Sequence, residues 1–158
     1  MDTSTDTTPQ PADEQQLYFA VWQQLMLCSK TLEQEISNRF RKQFKQSMIR
    51  YELLSQLDDG KWLAIGKVAA QLPSSNGNIT KLVERMLAED LLSRRRNPQD
   101  RRIIEIGLTE KGQNLLTAMT NAHAMWTKKL MDSDDAQSNA DQLHLLWQKI
   151  RPPLSSAK

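Results

Sequence analysis

Apolar residues in the first third of the chain recur every three or four positions, which is the spacing of one face of an α-helix. This stripe consists of Leu17, Val21, Leu25, Cys28, Leu32, Ile36 and Phe40. It predicts a long helix over about 13–46, preceded by a polar segment, 1–12, that we expect to be a disordered tail. A second helix is expected over 47–57, because the turn signal Asp58-Asp59-Gly60 follows it.

The middle of the chain predicts two short helices separated by a tight turn. After a very short strand within 61–64, Ile65, Val68, Ala69 and Leu72 mark a helix that Pro73 ends. Ser74 or Ser75 is placed to cap the next helix. The buried face of that helix is predicted to consist of Ile79, Leu82, Val83, Met86 and Leu87, and its opposite face of Gly77, Lys81, Glu84 and Arg85, with Asn78 at the flank. This arrangement predicts a helix-turn-helix.

A β-hairpin is expected next. Residues 91–96 form its first strand, and the turn signal Asn97-Pro98-Gln99-Asp100 follows. In the second strand, Ile104, Ile106 and Leu108 alternate and are expected to share one face. Because arginines crowd its tip, the hairpin has the character of a wing.

The last third of the chain predicts two more helices. Thr109 is expected to cap the first, whose stripe consists of Leu115, Met119, Ala122, Trp126 and Leu130. The second is expected over about 140–150, before Pro152, with a stripe of Leu143, Leu146, Trp147 and Ile150. The predicted fold is therefore mainly α with a small β-wing. A winged helix-turn-helix domain (47–108) lies between N-terminal (13–46) and C-terminal (109–151) helices, and 152–158 form a tail. These outer helices have no domain of their own to cover, so we expect them to form a dimer.

Charge is distributed unevenly, although the formal net charge is only +2. Residues 39–50 contain five bases and no acid, and residues 91–102 contain five arginines against Asp100 alone. Both ends of the chain are acidic. Two basic blocks in the middle suggest a surface that faces a polyanion, although ordinary solvated helix faces would also explain them.

Several function classes are disfavoured. The single cysteine, Cys28, excludes an internal disulfide and suits a reducing cytoplasm, and its place on an apolar stripe predicts a small buried core residue. No apolar run approaches the roughly 18 residues of a membrane span, and the N-terminus lacks the apolar core of a signal peptide, so a cytoplasmic protein is expected. His123 and His144 have no partners at ligand spacing. We therefore expect no metal or cofactor, and no enzyme, since a nucleophile–base pair and a phosphate loop are also missing.

Three segments in this order resemble the MarR family of bacterial regulators (multiple antibiotic resistance regulators). Segment 76–86 (NGNITKLVERM) resembles the family's recognition helix, 100–102 (DRR) its wing signature and 108–112 (LTEKG) the junction into its dimerisation helix; 50–54 (RYELL) is more weakly similar to the start of its second helix. One departure is Asp90, where the family usually has Gly before the wing strand. Asp tolerates a left-handed helix cap better than most residues.

The resemblance implies a homodimeric DNA-binding transcriptional regulator, expected to be a repressor, that reads pseudo-palindromic operators in double-stranded DNA. It also implies a small aromatic or phenolic effector. Some members sense peroxides through Cys-Phe-Ala, but this chain has Tyr18-Phe19-Ala20 there. The alternative is a winged-helix module for protein–protein contact without DNA binding. The candidate DNA-binding residues are Ser75, Asn76, Asn78, Thr80, Lys81 and Arg85 on the helix and Arg95, Arg96, Asp100, Arg101 and Arg102 on the wing.

Overall fold

The computed structural model describes residues 11–72 and 76–150. Its elements are α1 (Pro11–Phe44), α2 (Met48–Gln56), β1 (Leu63–Ala64), α3 (Ile65–Ala70), α4 (Asn76–Ala88), β2 (Leu92–Arg96), β3 (Ile104–Leu108), α5 (Glu110–Met131) and α6 (Ala136–Ile150). The predicted fold class, mainly α with a small β-wing, is confirmed. Helix α1 begins two residues before the expected start at 13, and α6 begins four residues before the expected 140. The predicted tails, 1–12 and 152–158, lie outside the described residues, except for residues 11 and 12, which belong to α1.

The hydrophobic core joins α2, α3, α4, the sheet and the start of α5. Ile79, Val83 and Met86 of α4 are completely buried, as the period of the stripe predicts. The same cluster contains residues of the neighbouring elements: Leu53 and Leu54 of α2 and Leu57 just after it, Val68 of α3 and Leu72 just after it, Ile106 of β3 and Leu116 of α5. Since burying one such side chain contributes about 1.5–3 kcal/mol, this cluster is what fixes α4 in the domain.

The three strands form an antiparallel sheet in the order β1-β3-β2. Arg94 pairs with Ile106 across the hairpin, Arg95 with Glu105 and Arg96 with Ile104. Ile104 and Ile106 alternate along β3 as the sequence predicts, but Ile104 is 39% exposed whereas Ile106 is fully buried. The hairpin extends past the edge of the core at Ile104, so alternation continues without anything to cover it.

Two local devices join the end of α4 to the start of α5. Asp90 has φ +58°, the left-handed cap expected from the sequence, and the N–H groups of Asp90 and Leu91 donate to the carbonyls of Leu87 and Met86, the Schellman pattern. The Thr109 hydroxyl accepts from the Gly112 N–H (3.0 Å) and donates to the Asp90 carbonyl (2.7 Å). A Cβ at Gly112 would lie 2.0 Å from the Leu91 carbonyl oxygen, so only glycine fits at this crossing.

The chain divides into two compact units, which meet in sequence between Thr120 and Asn121. In the first, the α1 stripe is buried only near its end: Phe40 is fully buried, whereas Leu17 is 60% exposed. The expectation of a buried Cys28 is therefore wrong for the single chain, since its side chain is exposed. In the second unit, Ala122 and Trp126 are buried as predicted, but Trp147 on α6 is 61% exposed. Among the described helices, none is both long and apolar enough to cross a membrane.

Candidate nucleic-acid interface

Helix α4 presents a polar, exposed face directly opposite its buried stripe. Gly77, Asn78, Thr80, Lys81 and Arg85 are all exposed. Lys81 and Arg85 lie one helical turn apart, and neither forms an ion pair within the described parts of the chain. Two other predicted site residues precede this face. Ser75 lies outside the described residues. Asn76 is the first residue of α4, but its side chain is not among those that the structure describes.

The C-terminal end of α4 is held by two cations from other helices. The Arg50 guanidinium donates to Glu89 Oε1 (2.5 Å) and, through its other amino group, to Gln46 Oε1 (2.6 Å). Lys111 Nζ donates to the Glu89 backbone carbonyl (2.7 Å). The hydrogen bond from Arg50 lowers the pKa of the Glu89 carboxyl below its ordinary value. The sequence had placed Arg50 in a basic block, but in the structure it positions α4.

That first basic block is partly neutralised within the chain. Arg39 pairs with Glu35 one turn earlier on α1, with 2.7 Å between Nη2 and Oε1. With Arg50 also paired, two of its five bases have acidic partners. The block therefore presents less cationic surface than its composition suggests.

The tip of the hairpin is ordered by two short polar side chains. Asn97 Oδ1 accepts from the backbone N–H groups of Gln99 (2.8 Å) and Asp100 (2.9 Å), an Asx turn. Asp100 Oδ1 then accepts from the backbone N–H of Arg102 (2.9 Å). Asp100, a predicted site residue, thus shapes the tip, and its link to Arg102 is through the backbone.

The five hairpin arginines separate into two groups. Two of them have acidic partners. Arg94 Nη1 lies 3.9 Å from Glu84 Oε1, with both side chains exposed, and Arg95 Nε lies 2.9 Å from Glu105 Oε2. Arg96, Arg101 and Arg102 are exposed and have no acidic partner among the residues that the structure describes. Within the part of the chain that the structure describes, the carboxylates that pair with hairpin arginines are therefore Glu84 and Glu105.

Sequence reasoning missed two residues that contact Arg95 of the hairpin. Glu105 is only 8% exposed, although the alternation of β3 predicts a solvated position for it. Trp62 lies just before β1, and the Arg95 guanidinium stacks 4.2 Å from its ring centroid. The run of arginines indicated that a nearby acid would pair with one of them. Only the strand register shows that this acid is Glu105.

Comparison with known proteins finds a family that matches the central part of the chain. The MarR family model matches residues 47–104, which run from the start of α2 through the hairpin into β3. This segment, residues 47–104, is therefore similar to the MarR family. The motif resemblance drawn from the sequence is thereby confirmed, and the match includes both α4 and the hairpin tip.

Relatives and solved structures extend the similarity over most of the chain. The HTH-type transcriptional regulator MgrA of Staphylococcus aureus is 25% identical over 137 residues, 87% of this chain and 88% of MgrA. A MarR/EmrR family transcriptional regulator from Acinetobacter sp. ADP1 is 23% identical, with a TM-score of 0.67, and the match covers 85% of this chain and 93% of that one. A mutant MarR from E. coli, solved in complex with operator DNA, is 15% identical, with a TM-score of 0.69 and coverage of 84% and 94%. The winged helix-turn-helix fold of the MarR family thus accounts for nearly the whole described chain.

Proposed function

We propose that this chain is a sequence-specific DNA-binding transcriptional regulator that inserts α4 into the major groove. One observation carries the proposal. On the second helix of a helix-turn-helix, Lys81 and Arg85 are exposed and form no ion pair with any residue that the structure describes, and the hairpin of the same domain presents three arginines in the same condition. An ordinary solvent-exposed helix would not require exposed cations on α4 and on the neighbouring hairpin together. MgrA, similar over most of the chain, is itself a transcriptional regulator.

The two elements have different roles in this proposal. Lys81 and Arg85 lie on a rigid helix and are long enough to reach base edges, which specify sequence. Asn78 and Thr80, together with Asn76 and the preceding residue in sequence, Ser75, contact phosphates or the first base edges. Arg96, Arg101 and Arg102 at the hairpin tip contact phosphates or a narrow minor groove, where charge and groove width count more than base identity.

We propose a homodimer as the DNA-binding form, because each compact unit leaves large apolar side chains exposed. On α1 these include Tyr18 at 66% and Trp22 at 55%, and on α6 they include Trp147 at 61% and Ile150 at 59%. Exposed apolar side chains of this size and number on one helix are typical of an interface. A second copy covers both helices, through residues of about 13–46 and 109–150, and presents two α4 helices to successive major grooves.

The dimer has a direct test. Sedimentation at low micromolar concentration should give one species near twice 18.2 kDa. A compact, folded monomer would contradict the proposal.

The DNA proposal is tested by selecting bound duplexes from a random-sequence pool, with and without a salt challenge. We expect enriched sequences with two half-sites related by a pseudo-twofold axis, about one helical turn apart. A folded dimer that enriches no sequence would favour the alternative, a winged-helix module for protein contacts.

Repression and an effector complete the proposal, and both rest on the family alone. A reporter gene downstream of the selected site should be expressed less when the protein is present. A small aromatic or phenolic acid that binds should release the selected duplex and raise the thermal unfolding midpoint of the free protein. If a panel of such acids changes neither quantity, the effector is not of this class.

A further inference from the structure

One carboxylate on the outer face of the sheet is fully engaged by side chains of the hairpin. Glu105 and Arg95 are direct cross-strand partners, and Arg95 Nε donates to Glu105 Oε2 (2.9 Å). The other carboxylate oxygen, Oε1, accepts from Asn97 Nδ2 (2.6 Å). These hydrogen bonds lower the pKa of Glu105, that from Arg95 contributing most, so the carboxylate is charged at neutral pH.

An aromatic ring closes the other side of this pair. The Arg95 guanidinium lies 4.2 Å from the centroid of Trp62, within the range of a cation–π contact. Trp62 in turn lies on Gly107 of β3, where an added Cβ would be 2.9 Å from Trp62 Cδ2. The ring therefore rests directly on the backbone of the central strand, and the absence of a side chain at Gly107 makes its position possible.

Asn97 extends this cluster to the tip of the hairpin. Its Nδ2 donates to Glu105, while its Oδ1 accepts from the backbone N–H groups of Gln99 and Asp100. The same side chain thus joins the buried carboxylate to the turn that carries Arg101 and Arg102. Apolar packing contributes little to holding the tip in place, since Ile103 and Ile104 are 40% and 39% exposed.

We propose that Trp62, Arg95, Asn97 and Glu105 form a clamp that fixes the hairpin tip, so that Arg96, Arg101 and Arg102 are presented to DNA in one orientation. Arg95 is then a positioning residue and not a DNA contact. The inference rests on the proposed DNA binding and deepens it, because it divides the arginines of the wing by role. A carboxylate this close to the tip repels DNA by its charge alone, and its positioning role outweighs that repulsion.

Glu105→Gln tests the clamp because two accounts predict opposite signs. If only charge mattered, removing an acid beside the tip would strengthen DNA binding. The clamp predicts weaker binding, by about tenfold for the selected duplex at moderate salt, because the phosphate contacts of a disordered tip are lost. Asp59→Asn is the control, because it removes one negative charge at an exposed turn residue whose left-handed backbone conformation Asn tolerates. The affinity of this variant for the selected duplex should stay within about twofold of the wild-type value. Binding by Glu105→Gln as tight as that of the wild type would overturn the clamp.

Arg95→Lys provides a second test that preserves every charge. Lysine is a point charge that cannot keep both the bond to Glu105 and the stack on Trp62, so we expect a loss of affinity close to that of Arg95→Ala. The matched control is Arg94→Lys, the neighbour on β2 that faces the other side of the sheet and should bind within about twofold of the wild type. Full affinity in Arg95→Lys would show that Arg95 acts through its charge and overturn the positioning role.

A measurement without DNA separates this inference from the proposed function. Backbone amide hydrogen exchange at Gln99, Asp100 and Arg102 should be faster in Glu105→Gln and Arg95→Lys than in the wild type or in Arg94→Lys. Unchanged exchange would overturn the clamp even if DNA binding is real. Conversely, if exchange is faster in the two variants but the wild-type protein binds no DNA, the clamp is supported as structure while the proposed function fails.

Discussion

Helix α4 and the β2–β3 hairpin both present cations to solvent, but different forces hold them in place. The helix buries Ile79, Val83 and Met86 completely, so its orientation comes from apolar packing. The hairpin runs beyond the core at Ile104, and its tip is ordered by Asn97 and other short polar side chains.

This difference predicts how each element responds to change. Apolar burial is large and insensitive to salt, whereas exposed polar contacts are individually weak and depend on charge. Variants on the buried side of α4 should therefore alter the free energy of unfolding. Variants at the hairpin should instead alter DNA binding while leaving the domain folded.

The largest expected effect comes from the buried side of α4. Met86→Ala removes a fully buried side chain, and the cavity it leaves should lower the free energy of unfolding by about 2–5 kcal/mol. Lys81→Ala, on the exposed face of the same helix, should change it by less than about 0.5 kcal/mol. Urea denaturation of both variants measures the contrast, and equal stabilities would mean that packing does not fix this helix.

The next effect concerns sequence recognition by the exposed face. Lys81→Ala and Arg85→Ala should each weaken binding to the selected duplex by about 1–3 kcal/mol and relax preference at one position per half-site. Binding to scrambled DNA should fall less, because base-edge contacts are absent there. If both variants bind the selected and the scrambled duplex as the wild type does, with unchanged thermal stability, recognition does not reside on α4.

A smaller and less selective effect is expected at the hairpin tip. Arg101→Ala should lower affinity for selected and scrambled duplexes by similar factors, since phosphates and groove width carry little sequence information. The slope of log affinity against log salt should become shallower by about 0.9 for each phosphate contact removed. A loss confined to the selected duplex, with the wild-type slope retained, would assign base recognition to the hairpin as well.

The smallest effect is a pH dependence where Arg50 joins Glu89. Because the folded pKa of Glu89 is lowered, chiefly by the hydrogen bond from Arg50, its stabilisation is fully present above the ordinary pKa and is lost as pH falls through the folded value. Glu89→Gln should therefore cost less than about 1 kcal/mol at neutral pH, as Glu89 is 45% exposed. The difference from wild type should shrink in acid.

Thermal unfolding of Glu89→Gln, with and without Arg50→Met, isolates this pair. In the Arg50→Met background, the cost of Glu89→Gln at neutral pH should largely disappear. A cost that persists there would mean that another cation stabilises Glu89.

The sequence by itself determined the features that depend on neighbours a few residues away. The apolar period of α4, the cap at Thr109 and the left-handed position at Asp90 were all predicted, and the structure confirms them. Each is local, because helix periodicity and capping involve residues within about four positions of one another.

Only the tertiary structure decided which charges are paired. Arg50 meets Glu89 across 39 positions of sequence, and Arg95 meets Glu105 across ten. Helix packing and strand register select these partners, and composition contains neither. The tertiary structure also decided which residues of the predicted apolar faces are buried. Ile104 and Cys28 lie on such faces but are exposed. Periodicity specifies the direction of a side chain along its element, while burial requires another element to lie opposite it.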